Sequence, residues 1–172
     1  YIVLFSDHGF HLGEKERYAK RSLWSDGTRV PLIIVGPKIP EGKVCDNPVQ
    51  LLDIYPTLLE LTNSEADPML EGNSLVPLLK NVKSKWPYMA RTSFGPGNYA
   101  IVSEEYRFIQ YNDGTEELYD HSKDAQEWYN LINNQEYDTI IQQHRNQIPQ
   151  ERYKILGKGS TGHKSYSASE TK

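Results

Sequence analysis

Residues 1–9, YIVLFSDHG, join an uninterrupted apolar run to a polar stop. The run over residues 1–5 is typical of a strand buried on both faces of a parallel sheet. A similar run at 30–35, within RVPLIIVGP, ends at Gly36-Pro37, a pair that terminates strands. Two such strands cannot cover each other's faces, so residues 1–63 are expected to be the last part of a larger α/β domain.

The overall composition narrows the class of protein. The chain has 172 residues, 37% of them hydrophobic and 24% charged, which is ordinary for a soluble globular protein. A formal net charge of -4 without a Lys/Arg cluster argues against nucleic-acid binding. The single cysteine, Cys45, excludes an internal disulfide framework. There is no apolar stretch of the roughly 20 residues that a membrane span needs, and no signal segment is visible.

The middle of the chain predicts short helices. Residues 14–20 are compatible with one helical turn in an otherwise polar loop. The sequence DIYPTLLELTN, starting at Asp53, predicts a helix with Asp53 as its N-cap and an end near Thr62-Asn63.

The second half of the chain has the pattern of a small antiparallel sheet. Four short segments, YMARTSF, NYAIVSE, YRFIQY and EELYD, are separated by turn residues, and Asn112-Asp113-Gly114 is a strong hairpin signal. Residues 136–147 place apolar side chains on one helical face, suited to covering that sheet. The predicted organisation is an end of the large α/β domain at 1–63, a connecting segment at 64–85, an α+β subdomain at 86–156 and a flexible tail at 157–172.

Asp7-His8-Gly9 follows the first strand, where ligands bind in open α/β sheets. Gly9 allows a sharp turn that keeps both side chains near the strand end. Lys20 and His11 could reach the same edge if the following loop folds back. The alternative is a turn-capping aspartate beside a surface histidine and an ordinary exposed lysine.

Three separated blocks, taken together, resemble the C-terminal third of type I sulfatases of the alkaline phosphatase-like superfamily. They are most similar to bacterial iduronate-2-sulfatase-like and polysaccharide sulfatases, over about residues 1–132. The blocks are FSDHGFHLGEKERYAKRSLWSDGTRVPLIIVGP, VQLLDIYPTLLEL and YRFIQYNDGTEELYDHSKDAQEWYNLI. The resemblance implies the C-terminal part of that α/β fold, with a small antiparallel sheet plus C-terminal helix subdomain.

The same resemblance implies a chemistry. Asp7 and His8 match the pair that closes the family's calcium site, and an oxygen ligand such as Asp7 suits this hard cation. His8 is the weaker ligand and could contact the sulfate ester instead. Lys20 matches the lysine that reaches the sulfate group, where a cation stabilises developing negative charge.

The family's nucleophile, a formylglycine made from the Cys or Ser of a C-x-P-x-R motif, has no counterpart here. Cys45, in KVCDNPV, lacks the required spacing and is interpreted as structural or incidental. Residues 1–172 alone are therefore expected to be inactive and to need the missing N-terminal part of the sulfatase domain, or else to self-associate. For the parent protein we expect a sulfated carbohydrate or other sulfate ester as substrate and a periplasmic or extracellular location.

Two alternatives remain open from the sequence. One is a phosphodiesterase or phosphonate hydrolase of the same superfamily, and the other is a noncatalytic module derived from such an enzyme. Lys20 and the block EELYDHSKDAQEWYNL favour the sulfatase.

Substrate selection is expected to involve the smaller subdomain. Asn98 and Tyr99, in FGPGNYAIVSE, are candidate substrate contacts because a tyrosine can stack on a sugar and offer a hydroxyl. The alternative is a hairpin tip that packs an aromatic ring. Arg91 is a further candidate. The block EELYDHSKDAQEWYNL is interpreted as structural, with Trp128 and Leu131 packing inward.

Overall fold

Two antiparallel sheets organise residues 1–150, the part of the chain that this computed structural model describes. In the first sheet, β1 (Ile2–Phe5) pairs with β2 (Leu32–Val35), so that Phe5 lies opposite Leu32. The predicted parallel arrangement of these two strands is therefore wrong. The connection leaves the sheet at the C-terminal end of β1 and returns to the same end, so β2 runs beside β1 in the opposite direction.

Both strands of this first sheet expose apolar side chains in the described chain, although the sequence predicts burial. Ile2 is 70% exposed, Leu4 54% and Val35 53%. The expectation that further elements cover these faces stays a prediction.

The segment between β1 and β2 contains only short helical elements, a 3₁₀ turn over Glu14–Glu16 and the helix α1 (Ser25–Thr28). After β2 come a 3₁₀ turn at Leu51–Asp53, α2 (Ile54–Leu61) and α3 (Val76–Lys80).

Asp53 does not cap α2 with its side chain, in contrast to the prediction. One carboxylate oxygen accepts a hydrogen bond from the Gln50 amide at 2.9 Å, closing a capping box at the preceding 3₁₀ turn. The other accepts from the Asn73 amide at 2.8 Å. Asp53 is buried because it joins the start of this helical segment to the chain that leads into α3.

The second sheet has four antiparallel strands in chain order, which confirms the predicted small sheet. Each strand lies within one of the four predicted segments. Their bounds are β3 (Ala90–Ser93), β4 (Tyr99–Val102), β5 (Tyr106–Gln110) and β6 (Glu116–Asp120).

Alternating side chains of this sheet form two separate cores. On one face Ile101, Phe108 and Leu118 pack against α4 (Asp138–Arg145), which confirms the predicted covering helix. A 3₁₀ turn at Gln135–Tyr137 precedes α4, and the Asn134 side chain caps the N-terminus of this turn. Leu131 packs on this core as predicted.

On the other face of the sheet, Leu23 and Trp24 from the β1–β2 connection pack against Ala100, Ile109 and Tyr119. The connection thus lies against the second sheet.

Trp128 is 57% exposed, so its predicted inward packing is wrong. Its ring instead lies 5.1 Å from the Lys15 ammonium, a cation–π contact that stabilises the ring at the surface.

No helix within residues 1–150 is both long and apolar enough to cross a membrane. The predicted tail at 157–172 and the end of the predicted subdomain at 151–156 lie outside the described residues.

Candidate active site

Three of the predicted site residues lie together beyond the end of β1. The Lys20 ammonium is 3.1 Å from His8 Nε2, and Asp7 Oδ2 is 3.6 Å from the same nitrogen. The Asp7 side chain is 81% exposed and that of His8 37%, so an anion or cation could reach this cluster from solvent.

The backbone of the connection brings Lys20 back to β1. The His11 amide donates to the Ala19 carbonyl at 2.9 Å, and the Gly13 amide donates to the Arg17 carbonyl at 2.9 Å. These two bonds close residues 11–19 into a narrow loop, and Lys20 follows directly at its exit.

Gly9 is required at the turn for a reason beyond flexibility. Its amide donates to the Gly27 carbonyl at 3.0 Å, and a Cβ at this position would lie 2.0 Å from the Asp26 carbonyl oxygen. Only glycine allows the two ends of the connection to approach so closely.

Hydrogen bonding fixes the His8 tautomer. His8 Nδ1 lies 2.8 Å from the Gly9 carbonyl oxygen, which can only accept, so Nδ1 carries the proton. Nε2 then presents a lone pair, and it accepts a hydrogen bond from the Lys20 ammonium. The ring is oriented with its accepting nitrogen toward Lys20 and Asp7.

A buried ion pair holds the connection on the second sheet. Glu127 and Arg107 are each at most 4% exposed, and Arg107 Nε lies 2.7 Å from Glu127 Oε1 in an ion pair that lacks linear hydrogen-bond geometry. Glu127 Oε2 accepts from the Ser25 amide at 2.8 Å, and the Arg107 guanidinium donates to the Leu23 carbonyl at 2.9 Å. Both ends of the pair thereby bind the backbone of the connection.

The electrostatics of Glu127 follow from these contacts. Burial raises the pKa of its carboxyl group, but the hydrogen bond from His121, the charge of Arg107 and the Ser25 amide outweigh it, so the pKa lies below its ordinary value. Glu127 is therefore ionised at neutral pH.

Lys15 adds a second contact between the connection and the C-terminal part of the chain. Its ammonium donates to the Glu127 carbonyl oxygen and lies 4.9 to 5.4 Å from the rings of Trp24, Tyr119 and Trp128. The sequence-based prediction interpreted the block that contains Glu127 as structural, but it did not identify the partners of Glu127, Arg107 or Lys15, because these contacts join residues far apart in the chain.

Asn98 has an internal role that does not favour the predicted contact with substrate. It is 2% exposed, its side-chain amide donates to the Pro96 carbonyl at 3.3 Å, and its Oδ1 accepts from the Asn112 amide at 3.0 Å. Tyr99 packs on the α4 side of the sheet, opposite the face that carries the connection. The structure thus favours the alternative of a packed hairpin tip.

Arg91, the third candidate from this subdomain, lies in β3 and donates to Glu71 at 3.0 Å in a partly exposed ion pair. It is not part of the Asp7–His8–Lys20 cluster by any contact of the described residues.

His11 and Cys45 are also placed away from that cluster. His11 is fully buried and bonds to Ser22 Oγ at 2.6 Å, so its side chain is not presented to a substrate. Cys45 is a free, partly buried thiol 3.8 Å from the Val82 carbonyl, in keeping with its interpretation as structural.

Comparison with known proteins identifies the family. Residues 13–154 match the family described as N-sulphoglucosamine sulphohydrolase, C-terminal, and the chain belongs to it. A sulfatase of Formosa agariphila is 45% identical over 141 residues, covering 82% of this chain and 28% of that protein.

Solved structures agree on the fold. BT4656, solved in complex with its substrate D-glucosamine-2-N,6-O-disulfate, superposes with a TM-score of 0.74 at 30% identity, covering 84% of this chain and 32% of the other. The phosphonate monoester hydrolase of Agrobacterium radiobacter superposes with a TM-score of 0.71 at 22% identity over 84% of this chain and 33% of the other, a likeness of fold alone.

The chain is thus the C-terminal portion of a sulfatase of the alkaline phosphatase-like superfamily, as the sequence predicts. It spans about a third or less of the length of the relatives it matches. Sulfatases generally use a metal ion.

Proposed function

We propose that the protein to which this chain belongs hydrolyses sulfate esters of a sulfated carbohydrate, and that Asp7, His8 and Lys20 contribute to its active site. The observation that carries this proposal is the Lys20 ammonium 3.1 Å from His8 Nε2, with Asp7 alongside, at the end of β1. The 45% identical relative is a sulfatase, and BT4656 was solved with a sulfated glucosamine as its substrate.

Lys20 has the chemistry to bind and stabilise the sulfate group. Its exposed ammonium offers three donors, of which one is directed to His8. The others can bind sulfate oxygens, and they strengthen as the S–O bond to the sugar breaks and negative charge collects on those oxygens.

His8 orients that ammonium through its accepting Nε2. Because its Nδ1 proton is held by the Gly9 carbonyl, the ring cannot turn without losing this bond. His8 therefore positions Lys20 and can also contact the ester from the partly exposed side of the ring.

The donor set at Asp7 fits the metal ion we propose, calcium. A carboxylate in an exposed side chain supplies oxygen ligands of the kind that calcium prefers, whereas His8 Nε2 already faces the Lys20 ammonium. We therefore assign Asp7 as a ligand and His8 as an accessory residue. When bound, the ion would supply a positive charge that polarises the sulfate group.

The test uses the whole protein and measures sulfate release from sulfated glucosamine. Hydrolysis of a phosphonate monoester is measured in parallel as the alternative substrate. We expect Asp7→Ala to reduce bound calcium and nearly abolish turnover. Lys20→Ala should lower kcat/KM by the equivalent of about 2 to 4 kcal/mol, the loss expected for one donor to a developing anion.

Arg21→Ala is the matched control, because it removes the neighbouring exposed cation. Full activity in the Lys20 variant, or calcium content unchanged in the Asp7 variant, would remove that residue from the site. Faster turnover of the phosphonate would favour the alternative hydrolase. Residues 1–172 alone should release no sulfate, since they contain no C/S-x-P-x-R motif.

A further inference from the structure

A second group of side chains that could hold a metal ion lies within the β1–β2 connection and shares no residue with the Asp7–His8–Lys20 cluster. His11, Glu14 and Asp26 each offer one ligand atom, and these atoms all lie within 4.8 Å of one another. The group combines one imidazole nitrogen with two carboxylates, one from the first half of the connection and one from the second.

The His11 ring has one nitrogen satisfied and one free. Nε2 lies 2.6 Å from Ser22 Oγ, while Nδ1 is buried without a hydrogen-bond partner among residues 1–150. The whole side chain is 0% exposed. Leaving a buried polar nitrogen unpaired is costly, so its position calls for a ligand.

Nδ1 lies near the Asp26 carboxylate. It lies 4.0 Å from Asp26 Oδ2, too far for a hydrogen bond but close to the separation of two ligands of one ion. Zinc bonds of about 2.0 to 2.2 Å place tetrahedral ligand atoms roughly 3.4 Å apart. The Asp26 side chain is 42% exposed and free to make this small adjustment.

The remaining contacts prepare the group for a cation. If Nε2 donates its proton to the Ser22 hydroxyl, Nδ1 carries the lone pair that a metal needs, and Ser22 holds the ring in place. The Leu12 amide donates to Glu14 Oε2 at 2.6 Å, which holds this carboxylate near His11.

We propose that His11 Nδ1, Glu14 and Asp26 form a zinc site that joins the parts of the connection before and after Lys20. One nitrogen and two carboxylate ligands suit zinc, whereas calcium prefers a shell of six to eight oxygens. The site does not depend on the proposed sulfatase function, because it shares none of the three residues assigned there.

The experiment is zinc titration of the metal-free 172-residue chain by isothermal calorimetry, with Co²⁺ absorption as a second probe of ligand type. We expect one tight zinc per chain. Asp26→Asn and His11→Gln should each weaken binding at least about tenfold, and each should remove the visible band of bound Co²⁺.

Two controls make the result specific. Glu16→Gln removes an exposed carboxylate of the same 3₁₀ turn that is outside the group, and it should bind zinc as the unaltered chain does. Asp7→Ala should also retain binding. Because Asp26 is partly exposed, its variant should fold even if the buried His11 variant does not, and circular dichroism checks this.

Failure to bind zinc, or zinc affinity unchanged in Asp26→Asn, would overturn the proposal. Zinc lost in Asp7→Ala but kept in Asp26→Asn would place the ion at the strand-end cluster, which also overturns it. Neither outcome bears on sulfate release by the whole protein.

Discussion

Replacing Glu127 by glutamine tests whether the buried ion pair holds the connection on the second sheet. The change keeps the size of the side chain and removes its charge, which leaves the Arg107 guanidinium buried without its counterion. Breaking a buried ion pair by removing one partner costs about 3 to 5 kcal/mol. The Ser25 amide and His121 also lose a charged acceptor, which favours the upper part of this range.

The measurement is equilibrium urea unfolding of the full chain, followed by circular dichroism, with hydrogen exchange of residues 9–29 as a local probe. We expect the free energy of unfolding to fall by about 3 to 5 kcal/mol and the amides of the connection to exchange faster. Glu104→Gln, in the exposed turn between β4 and β5, is the matched control and should change stability by less than about 0.5 kcal/mol.

A loss below about 1 kcal/mol in Glu127→Gln, comparable with a surface ion pair, would refute this reasoning. The same variant should also lose the part of the pH dependence of unfolding free energy that comes from Glu127. The pKa of Glu127 is lowered in the folded chain, so its stabilisation is present above the unfolded value near 4.5 and is lost as pH falls through the folded value.

Two further predictions concern a buried histidine and the exposed face of the first sheet. Burial lowers the pKa of His144 in the folded chain despite its bond to the Ile140 carbonyl, so the unfolded chain binds the proton more tightly. The free energy of unfolding should therefore fall as pH drops below about 6.5. His144→Gln should flatten this slope in urea midpoints measured between pH 5 and 7, and an unchanged slope would contradict the assignment. Ile33 and Val35 are 52% and 53% exposed, so we expect the isolated chain to self-associate. The double variant Ile33→Lys, Val35→Lys should reduce this association in sedimentation velocity. A monodisperse unaltered chain would argue against the prediction.

The second sheet could be predicted from the sequence because its signals are local. Alternating residues and turn-forming residues mark each strand, and the hairpin between β5 and β6 is fixed by Asn112, Asp113 and Gly114, where Gly114 has φ 88°. The stripe of Ile140, Ile141 and His144 likewise marks the face of α4 that packs on the sheet.

The direction of β2 could not be predicted in the same way. Both β1 and β2 are apolar throughout, so neither alternation nor a short turn specifies how they pair. Only the path of residues 6–31, held by the bond between Gly9 and Gly27, makes the pair antiparallel.

The roles of single polar residues also depended on tertiary contacts. Asn98 is a residue type that often binds ligands, yet its amide donates to the Pro96 carbonyl in its own turn and accepts from the Asn112 amide in the turn between β5 and β6. Trp128 has a large apolar side chain of the kind found in cores, yet it lies at the surface beside Lys15. Residue type gives the capacity to bond, whereas the fold decides which partner is near.

By itself the sequence determined the four-stranded sheet, its covering helix and the position of Asp7 and His8 at a strand end, because these follow from hydrophobic period and turn chemistry along neighbouring residues. The tertiary structure alone decided that Lys20 returns to His8, that Glu127 bonds to the Ser25 amide, and that the His11 ring lies near two carboxylates. Such contacts join residues distant in sequence, and no local pattern encodes a distance that exists only after the chain has folded.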